Sequence, residues 1–250
     1  MRTKKVTGLT MLFLALIATP LWGQSYQKTS CGIKANVCSM NVEVQFYSPE
    51  IVRIIKSPIG TDFVKKSFSV IKTPEETDYS VREQNDCVVL KSKAVEITLN
   101  LKTGKVAYAD AKGNSLLTEK DYGTQFTPVA YRECETYLVR QAFMLDRDEA
   151  IYGLGQLQQG KMNQRNQMVH LRNVNSTICI PYIQSIKGYS VFWDNYSPTT
   201  FTDNPMETAF DSQAGDCADY YFMYGENADG VVRCMRAVSY THLRAHETSL

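Results

Sequence analysis

The sequence predicts an all-β fold, a β-sandwich of many short strands. Three observations point there. Short runs alternate apolar and polar residues, the period of a half-buried strand. Gly, Asn and Asp turn residues separate these runs at close, regular spacing, the pattern of a sandwich rather than of βαβ units. Aromatic residues, which favour strands, are plentiful, with 15 Tyr, 10 Phe and 2 Trp.

The elements follow in order. Val42 to Phe46 alternates cleanly, and Ile51 to Ile55 follows the turn-like Ser48-Pro49-Glu50. Phe68 to Ile71 and Cys87 to Leu90 read as further strands. Ala94 to Leu101 alternates, then meets the tight turn Lys102-Thr103-Gly104-Lys105 and the run Val106-Ala107-Tyr108, which together predict a hairpin. Asp110 to Asn114 supplies the next turn, before Leu116-Leu117. Tyr137 to Leu145 is another strand, and the charged turn Asp146 to Glu149 leads into Ile151-Tyr152-Gly153-Leu154-Gly155. Residues 158–175 are polar and read as a loop. Ile178 to Ile183 and Tyr189 to Trp193 are two strands joined at Lys187-Gly188, with Pro181 suited to an edge or a strand start. Tyr220 to Gly225 is a late strand, and Asp229 to Arg236 begins a helix with Asn227 as its N-cap.

The chain has 250 residues, 44% hydrophobic and 21% charged, with a net charge of +1. That balance suits a folded unit of one or two domains and provides no field to steer it to nucleic acid or an anionic membrane. Neither is expected as a partner. At the N-terminus, Arg2, Lys4 and Lys5 precede the apolar run Leu9 to Leu21, so residues 1–23 read as a cleavable export signal ending near Gly23-Gln24. The seven cysteines are too evenly spread for a disulfide framework, although Cys31 and Cys38 could pair in an oxidising compartment. Cys87 and Cys179 sit in strand patterns as small hydrophobes.

Several motifs occur together in one order: Glu149-Ala150-Ile151-Tyr152-Gly153-Leu154-Gly155-Gln156, Ile180-Pro181-Tyr182, Lys187-Gly188-Tyr189-Ser190-Val191 and Trp193-Asp194-Asn195-Tyr196, closed by Tyr220-Tyr221-Phe222 and Gly230-Val231-Val232. In this order the chain, from Val42 to about Ala237, resembles the N-terminal domain of glycoside hydrolase family 31, and most resembles secreted α-xylosidases and α-glucosidases. The resemblance implies a galactose-mutarotase-like sandwich over residues 24–230, a linker helix starting over 231–237, and a catalytic barrel that would begin only where this chain stops. It implies hydrolysis of terminal α-linked xylosyl or glucosyl units with retention, in the periplasm or at the outer surface of a Gram-negative bacterium. It implies no cofactor, an oligosaccharide substrate met through the full-length enzyme, and a hydrophobic face that packs on the barrel. Within the loop 156–175, Arg172 and Asn173 are the candidate substrate contacts by resemblance. Gly153 and Gly155 are expected to allow positive φ or close backbone approach.

Retaining glycosidases use two carboxylates about 5–5.5 Å apart. In this family the nucleophile lies in a W-x-D-M-x-E motif of the barrel, which this sequence does not contain; its tryptophans are Trp22 and Trp193. No catalytic residue is therefore assigned. Asp146, Asp148 and Glu149 are expected to form a solvated turn, and His170 to be exposed in the loop. His242 and His246 have metal-like spacing without further ligands, and no metal site is expected. Val238 to Thr248 resembles translated sequencing-adapter DNA, so residues 238–250 read as a non-native tail. The alternative is a stand-alone secreted carbohydrate-binding sandwich.

Overall fold

The computed structural model describes residues 26–61, 65–131 and 134–239. The export signal and the proposed tail, including His242 and His246, lie outside the described residues apart from Val238 and Ser239.

Seventeen strands and one helix are formed among the described residues. One sheet contains β1 (Tyr26–Lys28), β2 (Gly32–Val37), β3 (Met40–Ser48), β4 (Ile51–Pro58), β17 (Ala218–Tyr224), β14 (Tyr189–Trp193), β13 (Ile178–Ser185) and β11 (Ile151–Gln156), in that order. The other contains β12 (Met168–Leu171), β15 (Thr199–Asn204), β16 (Glu207–Gly215), β10 (Cys134–Met144), β9 (Ser115–Tyr131), β8 (Val106–Asp110), β7 (Val95–Asn100), β6 (Cys87–Lys91) and β5 (Ser80–Gln84). Helix α1 (Ala228–Val238) follows β17. Asn227 caps it, its side chain accepting from Gly230 N at 3.0 Å, as the sequence predicts.

The alternation seen in the sequence is the two-faced burial of each strand. On β7, Val95, Ile97 and Leu99 are buried and the residues between them are half-buried. The β7–β8 hairpin closes where predicted: Asn100 Oδ1 accepts from the backbone of Lys102 and Thr103, and Gly104 takes φ +71°. Inward residues of both sheets meet in one core around Ile54, Leu90, Ile97, Phe143, Trp193 and Phe222. Tyr108 stacks on Phe222 at 4.0 Å between ring centroids, and Trp193 on Phe210 at 5.8 Å.

β14 and β17 lose the alternation because both of their faces are covered. Tyr47, Phe192, Tyr221 and Met223 form a second apolar cluster with Val238 of α1 and with Val70. Two charge pairs are buried. Arg53 grips Asp219 through one guanidinium edge, Nε and Nη2 donating at 2.9 and 2.7 Å, binding β4 to β17. Lys56 crosses between the sheets to Glu119 at 2.5 Å. Glu119 also accepts from Val106 N and Tyr220 Oη, and Lys56 reaches Gly104 O and Thr124 Oγ1, so this ion pair is closed by hydrogen bonds.

Four expectations about strands and cysteines need correction. Phe68 to Ile71 is no strand: only Val70 bridges, to Ser239, and Phe68 is 80% exposed, because its neighbours pack on α1 rather than pair in a sheet. The polar segment 158–175 contains β12, whose Val169 and Leu171 point inward. Pro181 sits inside a paired strand, opposite the break in register between Gly153 and Gly155, where no ladder bond is required of it. Cys31 and Cys38 are both free; the Cys38 thiol donates to Lys102 O.

Candidate functional site

β11 ends one sheet and β12 ends the other, and the connection between them crosses the seam of the sandwich. The chain then returns through residues 172–177 to β13. The candidate site is this crossing and its tip.

The base is built at the turn before β11. Glu149 is 3% exposed, against the expectation of a solvated turn. Its carboxylate accepts from the hydroxyls of Ser185 and Tyr189 and from Asp146 N, and pairs with Lys187 at 3.3 Å. A carboxylate with this many donors is stable without water. Burial and the Glu149 charge push the Tyr189 phenol well above its usual value. Burial pulls the Lys187 ammonium down, but its bond to Asp146 and the Glu149 charge outweigh that and hold it above its usual value.

β11 is bent by a bulge. Gly153, Leu154 and Gly155 all have positive φ, at +123°, +64° and +95°. A Cβ on Gly153 would lie 2.3 Å from Tyr182 O, and one on Gly155 2.1 Å from Ile178 O. Both glycine roles expected from the sequence are met, and both serve pairing with β13.

After the bulge the loop folds back on itself. Gln164 N donates to Ile151 O at 2.8 Å, and Asn163 Oδ1 accepts from Ile151 N. Arg165 is the anchor. Its Nε binds Asp203 Oδ2 at 3.0 Å, and its Nη1 donates to the carbonyls of Asp146, at 2.8 Å, and Glu149. Asp203 is buried and also accepts from Asn166 N and Thr208 Oγ1. One guanidinium thus ties the loop to β15 and to the turn that leads into β11.

β12 then pairs with β15, and His170 is exposed, its Nδ1 3.1 Å from Thr200 Oγ1. The two predicted site residues follow at the tip. Arg172 and Asn173 are both exposed. Asn173 Oδ1 accepts from Cys179 N at 2.7 Å and pins the start of β13, leaving its amide nitrogen as donor. Val174 and Thr177 close the tip with a pair of backbone hydrogen bonds. Asn173 lines a polar hollow of about 130 Å³ with Asn195, Tyr196 and Ser197; Arg172 does not. So the structure places the two side by side but brings only Asn173 to the Trp193-Asp194-Asn195-Tyr196 motif.

Sequence reasoning missed Arg165, Asp203 and Glu149. The signal in each case was a charge in a polar stretch, which looks the same whether the group is solvated or buried. Among the described residues no group of three or more His, Cys, Asp and Glu is placed to hold a metal ion, and no helix is long and apolar enough to cross a membrane.

Two antiparallel sheets with this bulged strand and anchored crossing define a galactose-mutarotase-like sandwich domain. Residues 41–202 match the glycosyl hydrolase 31 N-terminal galactose mutarotase-like domain, and the chain belongs to glycoside hydrolase family 31. It is 29% identical over 213 residues to an α-xylosidase of Saccharolobus solfataricus, covering 80% of this chain and 28% of that protein. It is 27% identical over 209 residues to α-glucosidase 2 of Bacillus thermoamyloliquefaciens, covering 76% of this chain and 25% of that protein. The crystal structure of a family 31 α-xylosidase from Xanthomonas citri superposes with a TM-score of 0.67 at 33% identity, over 71% of this chain and 20% of that one. The chain therefore spans about a quarter of the length of these curated relatives.

Proposed function

We propose that this domain serves a secreted, retaining α-glycosidase of α-xylosidase or α-glucosidase type, in which it packs on the catalytic domain and its 156–177 crossing walls the substrate entrance. The observation that carries the reading is the crossing itself. Arg165 holds it to Asp203 of β15 and to the turn before β11, while Arg172 and Asn173 stand exposed at its tip with donors free to meet sugar hydroxyls. The relatives support the activity: they are named α-xylosidase and α-glucosidase. The apolar residues left exposed on the same sheet, Ile178 at 59% and Ile180 at 45%, support a docking face for a catalytic domain. The basic and apolar N-terminal segment supports export to the periplasm or outer surface.

Catalysis in this reading belongs to carboxylates outside the sandwich, and the domain contributes substrate positioning. The test is steady-state kinetics of the complete gene product on aryl α-xyloside and α-glucoside, with Arg172→Ala and Asn173→Ala. The expected result is a rise in KM for each variant with kcat little changed, since loss of rim contacts removes binding made equally in the ground and transition states. Unchanged KM in both variants would remove the tip from the substrate entrance.

A further inference from the structure

The β11 bulge borders a second hollow, which Asn173 does not line. Its volume is about 300 Å³, at the lower end of small-molecule sites. The floor is the bare backbone of Gly153 and Gly155, where no side chain can stand because β13 carbonyls lie within 2.3 Å of either Cβ position. Tyr152, 38% exposed as a residue, forms one wall, and Gln156 and Lys161 are exposed at the rim. Gln164 also lines the hollow. It is only 3% exposed; its Nε2 is spent on the carbonyls of Lys161 and Met162, and its Oε1 is a buried acceptor with no partner. A buried acceptor left unsatisfied costs about 1–3 kcal/mol. Met162, 79% exposed on the same loop, also lines the hollow.

We propose that this hollow is a sugar-binding site separate from the tip, taking one neutral pyranose unit of an oligosaccharide. A pyranose has an apolar C–H face to lay on the Tyr152 ring and hydroxyl donors to satisfy Gln164 Oε1. No carboxylate lines the hollow, which disfavours metal ions, and its one cation, Lys161, stands at the rim with one of its three donors on Gln167 Oε1 at 3.0 Å. The proposal rests on the preceding reading only in choosing a sugar as the ligand.

The test is a two-dimensional NMR titration of the 250-residue chain with xylose, glucose, isomaltotriose and, as a charged control, glucuronate. The expected result is saturable shifts for the neutral sugars at the amides of Gly153 and Gly155 and at the Gln164 side-chain amide. Tyr152→Ala, at an exposed ring, should weaken binding about three- to tenfold. Gln164→Leu should weaken it further, and its unchanged amide spectrum away from the loop would show that it folds. Absence of shifts in the hollow with every neutral sugar, or shifts with glucuronate alone, overturns the proposal. Shifts confined to the tip at Asn173 also overturn it while supporting the entrance reading. Shifts in the hollow together with unchanged kinetics in the Arg172 and Asn173 variants would leave this site standing and remove the entrance reading.

Discussion

Replacing Arg165 with Met should loosen the crossing while leaving the sandwich intact. The guanidinium makes three hydrogen bonds, one to a carboxylate and two to main-chain carbonyls, and its side chain is 15% exposed while that of Asp203 is fully buried. Breaking a fully buried charge pair by removing one partner costs about 3–5 kcal/mol. Here Asp203 keeps its bonds from Asn166 N and Thr208 Oγ1, so the expected loss is nearer about 2–3 kcal/mol. Arg172→Ala, seven positions on, removes an exposed side chain with no such role, and should change stability by less than about 0.5 kcal/mol. Urea denaturation gives both values, and amide hydrogen exchange locates the effect: residues 161–167 should exchange faster in Arg165→Met, while β3, β4 and β17 keep their protection. A loss below about 1 kcal/mol with unchanged exchange over 161–167 would refute the claim that Arg165 anchors the loop.

Other consequences are open to measurement. Lys56→Met should cost about 3–5 kcal/mol in chemical denaturation, because it leaves the Glu119 charge in the core without a counter-charge, with only Val106 N and Tyr220 Oη as donors. Adding Glu119→Leu should cost much less than the sum of the single changes; strict additivity would contradict the coupling. Gly155→Ala should cost at least about 2 kcal/mol, since positive φ and the clash with Ile178 O both oppose it, and a near-neutral result would mean that the bulge re-forms around a side chain. Acid should destabilise the fold through two depressed carboxyls. The Asn114 side chain and nearby backbone N–H groups hold Asp110 below its usual 3.8. Burial would raise Glu207, but Lys120 and Arg140 outweigh it and hold this group below its usual 4.5. Depressed folded values stabilise above the unfolded value and lose that contribution as pH falls through the folded one. Stability should therefore decline below about pH 4.5, and Lys120→Met should flatten the decline.

Much of the fold was legible because strands with one buried face carry a period of two. Val95 to Asn100 and the Gly104 turn show their structure in the sequence for that reason, and the Asn227 cap is readable from its position before an apolar run. β5 was not legible: its Ser80 to Gln84 is almost wholly exposed at the sheet edge and has no apolar face to read. Phe68 and Val70 misled in the opposite direction, apolar residues that alternate without lying in a sheet. At the candidate site, Gly153 and Gly155 announced a bend, and Arg172 and Asn173 were singled out in the loop by family resemblance alone. What holds the tip was invisible. Arg165 meets Asp203, 38 positions away, and Glu149 meets Tyr189, 40 positions away, and neither pairing has a local pattern.

The measurement that bears most directly on the account is long-read sequencing of the source locus across codon 238. The account predicts that the reading frame continues from the helix into a catalytic domain carrying a W-x-D-M-x-E motif, with the sandwich as its N-terminal part. A frame that reads through His242 and His246 to a genuine stop after Leu250 would contradict the glycosidase reading of this gene product.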